Sequence, residues 1–218
     1  MFASVWRLSL NDMAKMKVKD AYSVHRVVYD LFEPVRDLAS PEGRAAPSGI
    51  LYSDRGMKKG WREIVILSDR MPQQPSNGKL ENLQEIAGEL LKKLLGFQSY
   101  RFEITVNPVK RDSRSRKLLP MRTREEVAEW FAAKAPAWGF DATQLEVKSL
   151  DVQQFEKKGQ PVTLGQATLT GLLNVRDRAR FAQSFSHGIG RGKAFGCGLL
   201  LIEPCNPSTQ PSQHKESK

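Results

Sequence analysis

Cysteine is scarce in this chain: only Cys197 and Cys205 among 218 residues, and neither belongs to a Cys-x-x-Cys pair. That spacing does not indicate a structural zinc site and gives no disulfide framework, and it fits a reducing, cytoplasmic setting. Histidine is scarce too, with His25, His187 and His214 the full set. Asp12, Asp20 and Asp30 are spread without ligand spacing around them. No paired-carboxylate site for a divalent-metal nuclease is therefore expected, and no cofactor. No window approaches the length of an apolar membrane span. The opening residues Met1 to Leu10 lack a basic start followed by a long apolar run, so no signal peptide is expected. There is no Gly-x-Ser-x-Gly elbow. Gly192-Lys193 is followed by Ala194, in the order helix, loop, strand, which is the reverse of a phosphate-binding P-loop.

What the chain does have is positive charge. Lys and Arg number 34 against 24 Asp and Glu, a formal net charge of +10. With 40% hydrophobic residues it can build a packed core, so the excess points to an acidic partner, above all nucleic acid.

The periodicities predict two similar halves. Residues 2–10 read as a strand, and Asp20 caps a helix over about 21–37 with Val24, Val27, Val28, Leu31, Phe32 and Val35 as its apolar stripe. Residues 40–49 read as a loop, 50–53 and 61–68 as strands, and 71–79 as another loop. A second helix is expected over about 80–95, stopped by Gly96, and a closing strand over 100–106. This is the β-α-β-β-α-β order of a ferredoxin-like domain. The second half repeats it: a short strand at 117–121, a helix capped by Thr123, strands over 145–155 and 162–175, a helix over 176–186 and a last strand over 196–203. The expected fold is α+β, two tandem ferredoxin-like domains at 1–109 and 117–203, joined by a basic linker at 110–116 and followed by a disordered tail at 204–218.

Four segments carry chemistry. The first is Gly188-Ile189-Gly190-Arg191-Gly192-Lys193-Ala194-Phe195-Gly196-Cys197-Gly198. Five glycines with two cations suit close backbone approach to a phosphate, notably at Gly190, Arg191, Gly192 and Lys193. A sharp, tightly packed turn is the competing reading. The second is Tyr22 to Tyr29. Helical spacing puts Tyr22, Arg26 and Tyr29 opposite the apolar stripe, with His25 on the border, early in the helix where the dipole favours anions. An imidazole, a phenol and a cation around a phosphodiester can cleave RNA without metal. An ordinary border histidine is the alternative. The third is Lys110-Arg111-Asp112-Ser113-Arg114-Ser115-Arg116-Lys117, a basic loop suited to phosphates or simply a solvated connection. The fourth is the hairpin tip Lys157-Lys158-Gly159.

Taken together, these segments resemble a known family. Gly188-x-Gly190 with Gly196-x-Gly198 is similar to the glycine-rich loop of the repeat-associated RNA-binding superfamily of CRISPR systems. Tyr22-Ser23-Val24-His25, running on through Tyr29-Asp30-Leu31-Phe32, resembles the first helix of its CasE endoribonucleases of subtype I-E. Asn107-Pro108-Val109-Lys110-Arg111 resembles the strand and basic loop that open their second half. The resemblance implies tandem ferredoxin-like domains and metal-independent cleavage of precursor CRISPR RNA at the base of the repeat hairpin. The 2′-OH would attack, leaving 5′-OH and 2′,3′-cyclic or 3′-phosphate ends, and the enzyme would stay on the product RNA as a Cascade subunit. It implies a catalytic role for His25 and Tyr22 and an RNA-groove role for Lys157 and Lys158. Arg26 is a candidate for charge stabilisation on helix geometry alone. A non-catalytic RNA-binding subunit of the same superfamily and a general RNA- or ribosome-binding protein stay open as alternatives.

Overall fold

The computed structural model describes residues 1–33, 48–113, 118–157 and 159–205. The elements run β1 (Phe2–Leu8), α1 (Leu10–Lys15), α2 (Ala21–Tyr29), β2 (Ile50–Lys58), β3 (Trp61–Ser68), β4 (Lys79–Glu85), α3 (Gly88–Leu95), β5 (Ser99–Val106), β6 (Val109–Arg111) and β7 (Leu118–Pro120). Then follow α4 (Arg124–Lys134), β8 (Phe140–Lys157), β9 (Gln160–Val175), α5 (Arg178–His187) and β10 (Leu200–Pro204).

Two four-stranded antiparallel sheets result, ordered β2-β3-β1-β4 and β10-β5-β9-β8. Numbered within each unit, both have the 4-1-3-2 order of a ferredoxin-like fold, which bears out the expected fold class. Each sheet buries one face under helices. In the first unit Trp6, Leu8, Ile64 and Ile66 meet Val24, Val27 and Val28 of α2. In the second, Phe102, Ile104 and Leu169 meet Val127 and Phe131 of α4. A third apolar cluster joins the units: Leu51 and Leu67 of the first sheet pack on Phe185 and Leu199 of the second unit.

The helix α2 forms where expected because its start is fixed chemically. Asp20 accepts from the Ser23 backbone N–H at 2.7 Å, while the Ser23 hydroxyl oxygen accepts from the Asp20 N–H at 2.9 Å. This reciprocal box satisfies amide groups that the first helical turn leaves open. The helix is shorter than the expected 21–37: it ends at Tyr29 with Asp30 as its C-cap, and the chain from Leu31 to Glu33 is not helical. Pro204, expected in the tail, still belongs to β10. Residues from Pro34, most of the 40–49 loop and the tail from Asn206 lie outside the described residues.

Strand membership corrects three expectations. Residues 79–85 are strand β4, not the start of a helix, and only Gly88–Leu95 is helical. Leu80, Leu83 and Ile86 have helix-like spacing, but the open edge of β1 takes this segment as a partner, with Trp6 opposite Leu80. Tertiary pairing overrides local preference here. Gly78 makes the approach possible: at φ +76° it lies so close to Trp6, Arg7 and Leu8 that a Cβ would stand 2.6 Å from the Arg7 carbonyl oxygen. The first unit has no helix between β3 and β4, so it runs β-α-α-β-β-β. Second, Tyr100 to Val106 does not close the first sheet but lies centrally in the second, between β10 and β9. Third, among the described residues Leu118–Pro120 pairs only with Val109–Arg111, in a separate two-stranded sheet. Lys110 and Arg111 therefore belong to a hairpin arm inside the second unit, between its first strand and its helix.

Candidate functional site

The helix α2 is held between the two units. Ala21 and Tyr22 pack against Phe155 of β8 and Leu164 of β9, with Phe195 beside them. Phe195 ends a short 3-10 turn, Lys193–Phe195, inside the glycine-rich segment. His25 thus sits in an aromatic setting drawn from both units. Its ring centroid is 4.2 Å from that of Tyr29, 6.2 Å from Tyr22 and 5.7 Å from Phe195, the last edge-on. Tyr22 stacks on Phe155 with rings 3° from parallel, and Phe155 meets Phe195 at 5.1 Å. The Lys157 ammonium lies 5.4 Å from the Phe195 ring centroid, a cation–π contact at the hairpin tip.

Beside this seam a polar cleft of about 510 Å³ opens between the units, lined among others by Lys19, Asp20, Tyr52, Arg62, Gln166 and Phe195. Arg62 is neutralised there by Asp54, at 2.5 Å. Burial is the largest influence on the Asp20 carboxyl and would raise its pKa. The Ser23 hydrogen bonds and nearby Lys19 outweigh it, and the pKa falls below the ordinary value. Burial pulls the Lys193 pKa down, and its ammonium donates to the His187 carbonyl at 2.6 Å.

Tyr22, His25, Lys157 and the Gly192–Phe195 turn are therefore brought together. Other expected site residues are not. Arg26 turns to the far side of α2, where its guanidinium donates to the Met16 carbonyl at 3.4 Å and lines a separate pocket with Trp6, Asp30 and Gln73. Its expected place beside His25 is not where it sits. Lys110 pairs with Glu126 of α4 at 2.6 Å, and Arg111 is exposed. Arg114, Arg116, Lys117 and Lys158 lie outside the described residues.

The glycines divide. All five have positive φ. A Cβ on Gly188 would stand 2.6 Å from Leu51 of the first unit, one on Gly196 3.0 Å from the Tyr52 ring, and one on Gly198 2.4 Å from the Ile189 carbonyl oxygen. These three serve close packing. Gly192 is less crowded, with Asn107 and Cys197 the nearest neighbours at 3.2 and 3.3 Å. Only Gly190 meets open space, and it shares an exposed tip with Arg191.

Sequence reasoning missed Phe195 as a partner of His25 and Phe155 as a partner of Tyr22. An aromatic residue amid glycines was a usable signal for Phe195. Nothing local marked Phe155, Tyr52 or Gln166. Among the described residues, no group of three or more His, Cys, Asp or Glu side chains is placed to hold a metal ion, and no helix is long and apolar enough to cross a membrane.

A family described as CRISPR associated protein matches residues 1–204. The chain is 28% identical over 119 residues to the CRISPR-associated endoribonuclease Cse3 of Thermus thermophilus. That match covers 49% of this chain and 56% of the relative, so the chain spans little more than half the relative's length. Among solved structures it is similar to CRISPR endoribonuclease Cse3 bound to 19 nt RNA (TM-score 0.75, 19% identity, 94% of this chain and 100% of the other). It is also similar to a chain of a CRISPR RNA-guided surveillance complex, pre-nicking (TM-score 0.66, 20% identity, 94% and 100%). At these identities the structural likeness is one of fold.

Proposed function

This chain belongs to the CRISPR-associated protein family, and on that premise we propose that it is an endoribonuclease that cuts precursor CRISPR RNA at the base of the repeat hairpin and stays on the product as a Cascade subunit. The observation that carries the reading is the seam: His25 and Tyr22 from one unit face Phe195, Phe155 and Lys157 from the other. A curated relative is an endoribonuclease, and similar folds occur with bound RNA and within a surveillance complex, which supports the substrate and the partners.

In the proposed reaction the ribose 2′-oxygen attacks the adjacent phosphorus, and the bond from phosphorus to the 5′-oxygen breaks. The 2′-OH loses its proton and the leaving 5′-oxygen gains one, giving a 2′,3′-cyclic phosphate and a 5′-OH. His25 carries one of these two protons, and the Tyr22 hydroxyl orients the phosphate. Lys157 supplies positive charge to the pentacoordinate transition state, the role first considered for Arg26. No metal enters this scheme. The RNA stem would lie along the exposed cations of the second unit, at Lys110, Arg111, Arg191 and the hairpin tip. Recognition of a hairpin by shape and phosphate contacts survives the cut, so product release is slow.

The test is single-turnover cleavage of repeat RNA. His25→Ala should slow it at least a hundredfold while hairpin affinity stays within about twofold. Cleavage should persist in EDTA and fail on RNA carrying a 2′-deoxy nucleotide at the scissile position. Full activity of His25→Ala, or cleavage of the deoxy substrate, refutes the scheme. A scrambled hairpin bound as tightly as the repeat points instead to a general RNA binder.

A further inference from the structure

Phe195 touches His25 from a very short support. The turn that carries it has few backbone hydrogen bonds, among them Phe195 N–H to the Gly192 carbonyl at 2.8 Å and Gly196 N–H to the Lys193 carbonyl at 3.3 Å. Left-handed glycines flank it on both sides. A single turn between such residues has little to fix its angle.

Two side chains from different sheets supply the missing constraint. The Tyr52 hydroxyl, on β2, donates to the Ala194 carbonyl at 3.0 Å. The Gln166 amide, on β9, donates to the next carbonyl, that of Phe195, at 2.9 Å. Gln166 is itself oriented, because its side-chain oxygen accepts from the Gln153 amide at 2.8 Å. Tyr52 is only 1% exposed, and Gly196 packs directly on its ring. Consecutive carbonyls are thus gripped from the two units, and the ring they steer is the one edge-on to His25.

We propose that Tyr52 and Gln166 are positioning residues, a two-sided clamp that sets the His25 imidazole through Phe195. Either grip alone holds one of the two carbonyls from a single unit, beside the Lys193 bond to the His187 carbonyl and the Phe155 ring. Together they make the orientation of His25 depend on the first and second sheets holding their relative placement. Burial, with Asp54 nearby, pushes the Tyr52 pKa well above that of an ordinary tyrosine, so the donor persists through neutral and mildly alkaline pH. The inference rests on the cleavage reading only for its rate measurement.

The experiment uses the full chain and the variants Tyr52→Phe, Gln166→Glu and Phe195→Leu. The His25 ring signal is followed by proton NMR in RNA-free protein and assigned by its loss in His25→Ala. Single-turnover cleavage and hairpin affinity are measured alongside. Phe195→Leu removes the ring current and defines the displaced His25 signal. Tyr52→Phe and Gln166→Glu should each move the signal toward that position and slow cleavage roughly tenfold with affinity unchanged. The double variant should slow it by less than the product of the two, because both grip one turn. Melting curves establish that the variants fold; should Gln166→Glu fail, Gln166→Met removes the same donor without adding charge. A His25 signal that stays at its wild-type position in both single variants overturns the clamp. A displaced signal with unchanged rate overturns its role in cleavage. If the wild-type protein does not cut repeat RNA, the cleavage reading fails while the resonance still decides the clamp.

Discussion

Replacing Gly198 and Gly190 separately by alanine tests how the glycine-rich segment divides its work. Both positions have positive φ, +89° and +72°, so each alanine carries the backbone cost of an L-residue there, about 1–2 kcal/mol. At Gly190 that is the whole cost, since no atom lies within 4 Å of the new methyl group. At Gly198 the methyl would stand 2.4 Å from the Ile189 carbonyl oxygen and 3.1 Å from its nitrogen. These are backbone atoms pinned by hydrogen bonds: Gly198 N–H donates to the Thr105 carbonyl at 2.7 Å, and its own carbonyl accepts from Ile189 N–H at 2.9 Å. Overpacking of this kind costs about 1–3 kcal/mol more. The expected loss is therefore about 2–5 kcal/mol for Gly198→Ala, a fall in Tm of roughly 5–15 °C in a chain of this size. For Gly190→Ala a fall of roughly 3–6 °C is expected. Urea titration gives the two free energies, and RNA affinity of the folded fraction gives the second contrast. Gly190→Ala should weaken hairpin binding more than Gly198→Ala does once folding is allowed for, because only its tip is open to a phosphate. Equal stability losses would refute the packing assignment, and unchanged affinity in Gly190→Ala would refute the contact assignment.

Two further perturbations bear on the same site. Replacing Asp20 by alanine removes the cap of α2 and should cost about 1 kcal/mol at neutral pH. The carboxyl titrates below its ordinary value in the folded protein, so its contribution is present above the unfolded pKa and is lost as pH falls through the lower folded one. In urea unfolding at a series of pH values, the gap between wild type and Asp20→Ala should therefore be widest at neutral pH and shrink below about pH 4. A gap independent of pH would count against the capping account. Lys157→Ala should weaken hairpin binding and reduce the slope of log affinity against log salt by about one unit, as expected for one lost phosphate contact. A slope equal to wild type would remove Lys157 from the interface.

Much of the fold was legible because local chemistry carried it. Asp20 and Ser23 announce the start of α2, and alternation from Tyr100 to Val106 announces a strand. What alternation does not encode is which sheet a strand joins. Ser99–Val106 went to the second sheet because its apolar face completes the core around Phe102 and Phe131, leaving the edge of β1 to Lys79–Glu85. The site was half legible for a similar reason. Tyr22 and His25 share one helix, so a helical wheel finds them. Their partners Phe155 and Phe195 come from distant segments, and only folding brings these rings together. Arg26 shows the limit of the wheel: it gives the direction of a Cβ, while the carbonyl of Met16, outside the helix, decides where a long side chain ends.

The glycine-rich turn also gives the site a history. A ribosome synthesises from the N-terminus, so His25 and Tyr22 emerge early and Phe195 follows only when nearly the whole second unit has been made. Until then Tyr52 has no carbonyl to grip and α2 lacks the wall against which its histidine rests. A nascent chain that has passed His25 but not Phe195 therefore lacks the aromatic wall contributed by the glycine-rich turn. On the proposed cleavage reading, a complete site is thereby deferred until Phe195 has been made, by the order of residues along the chain.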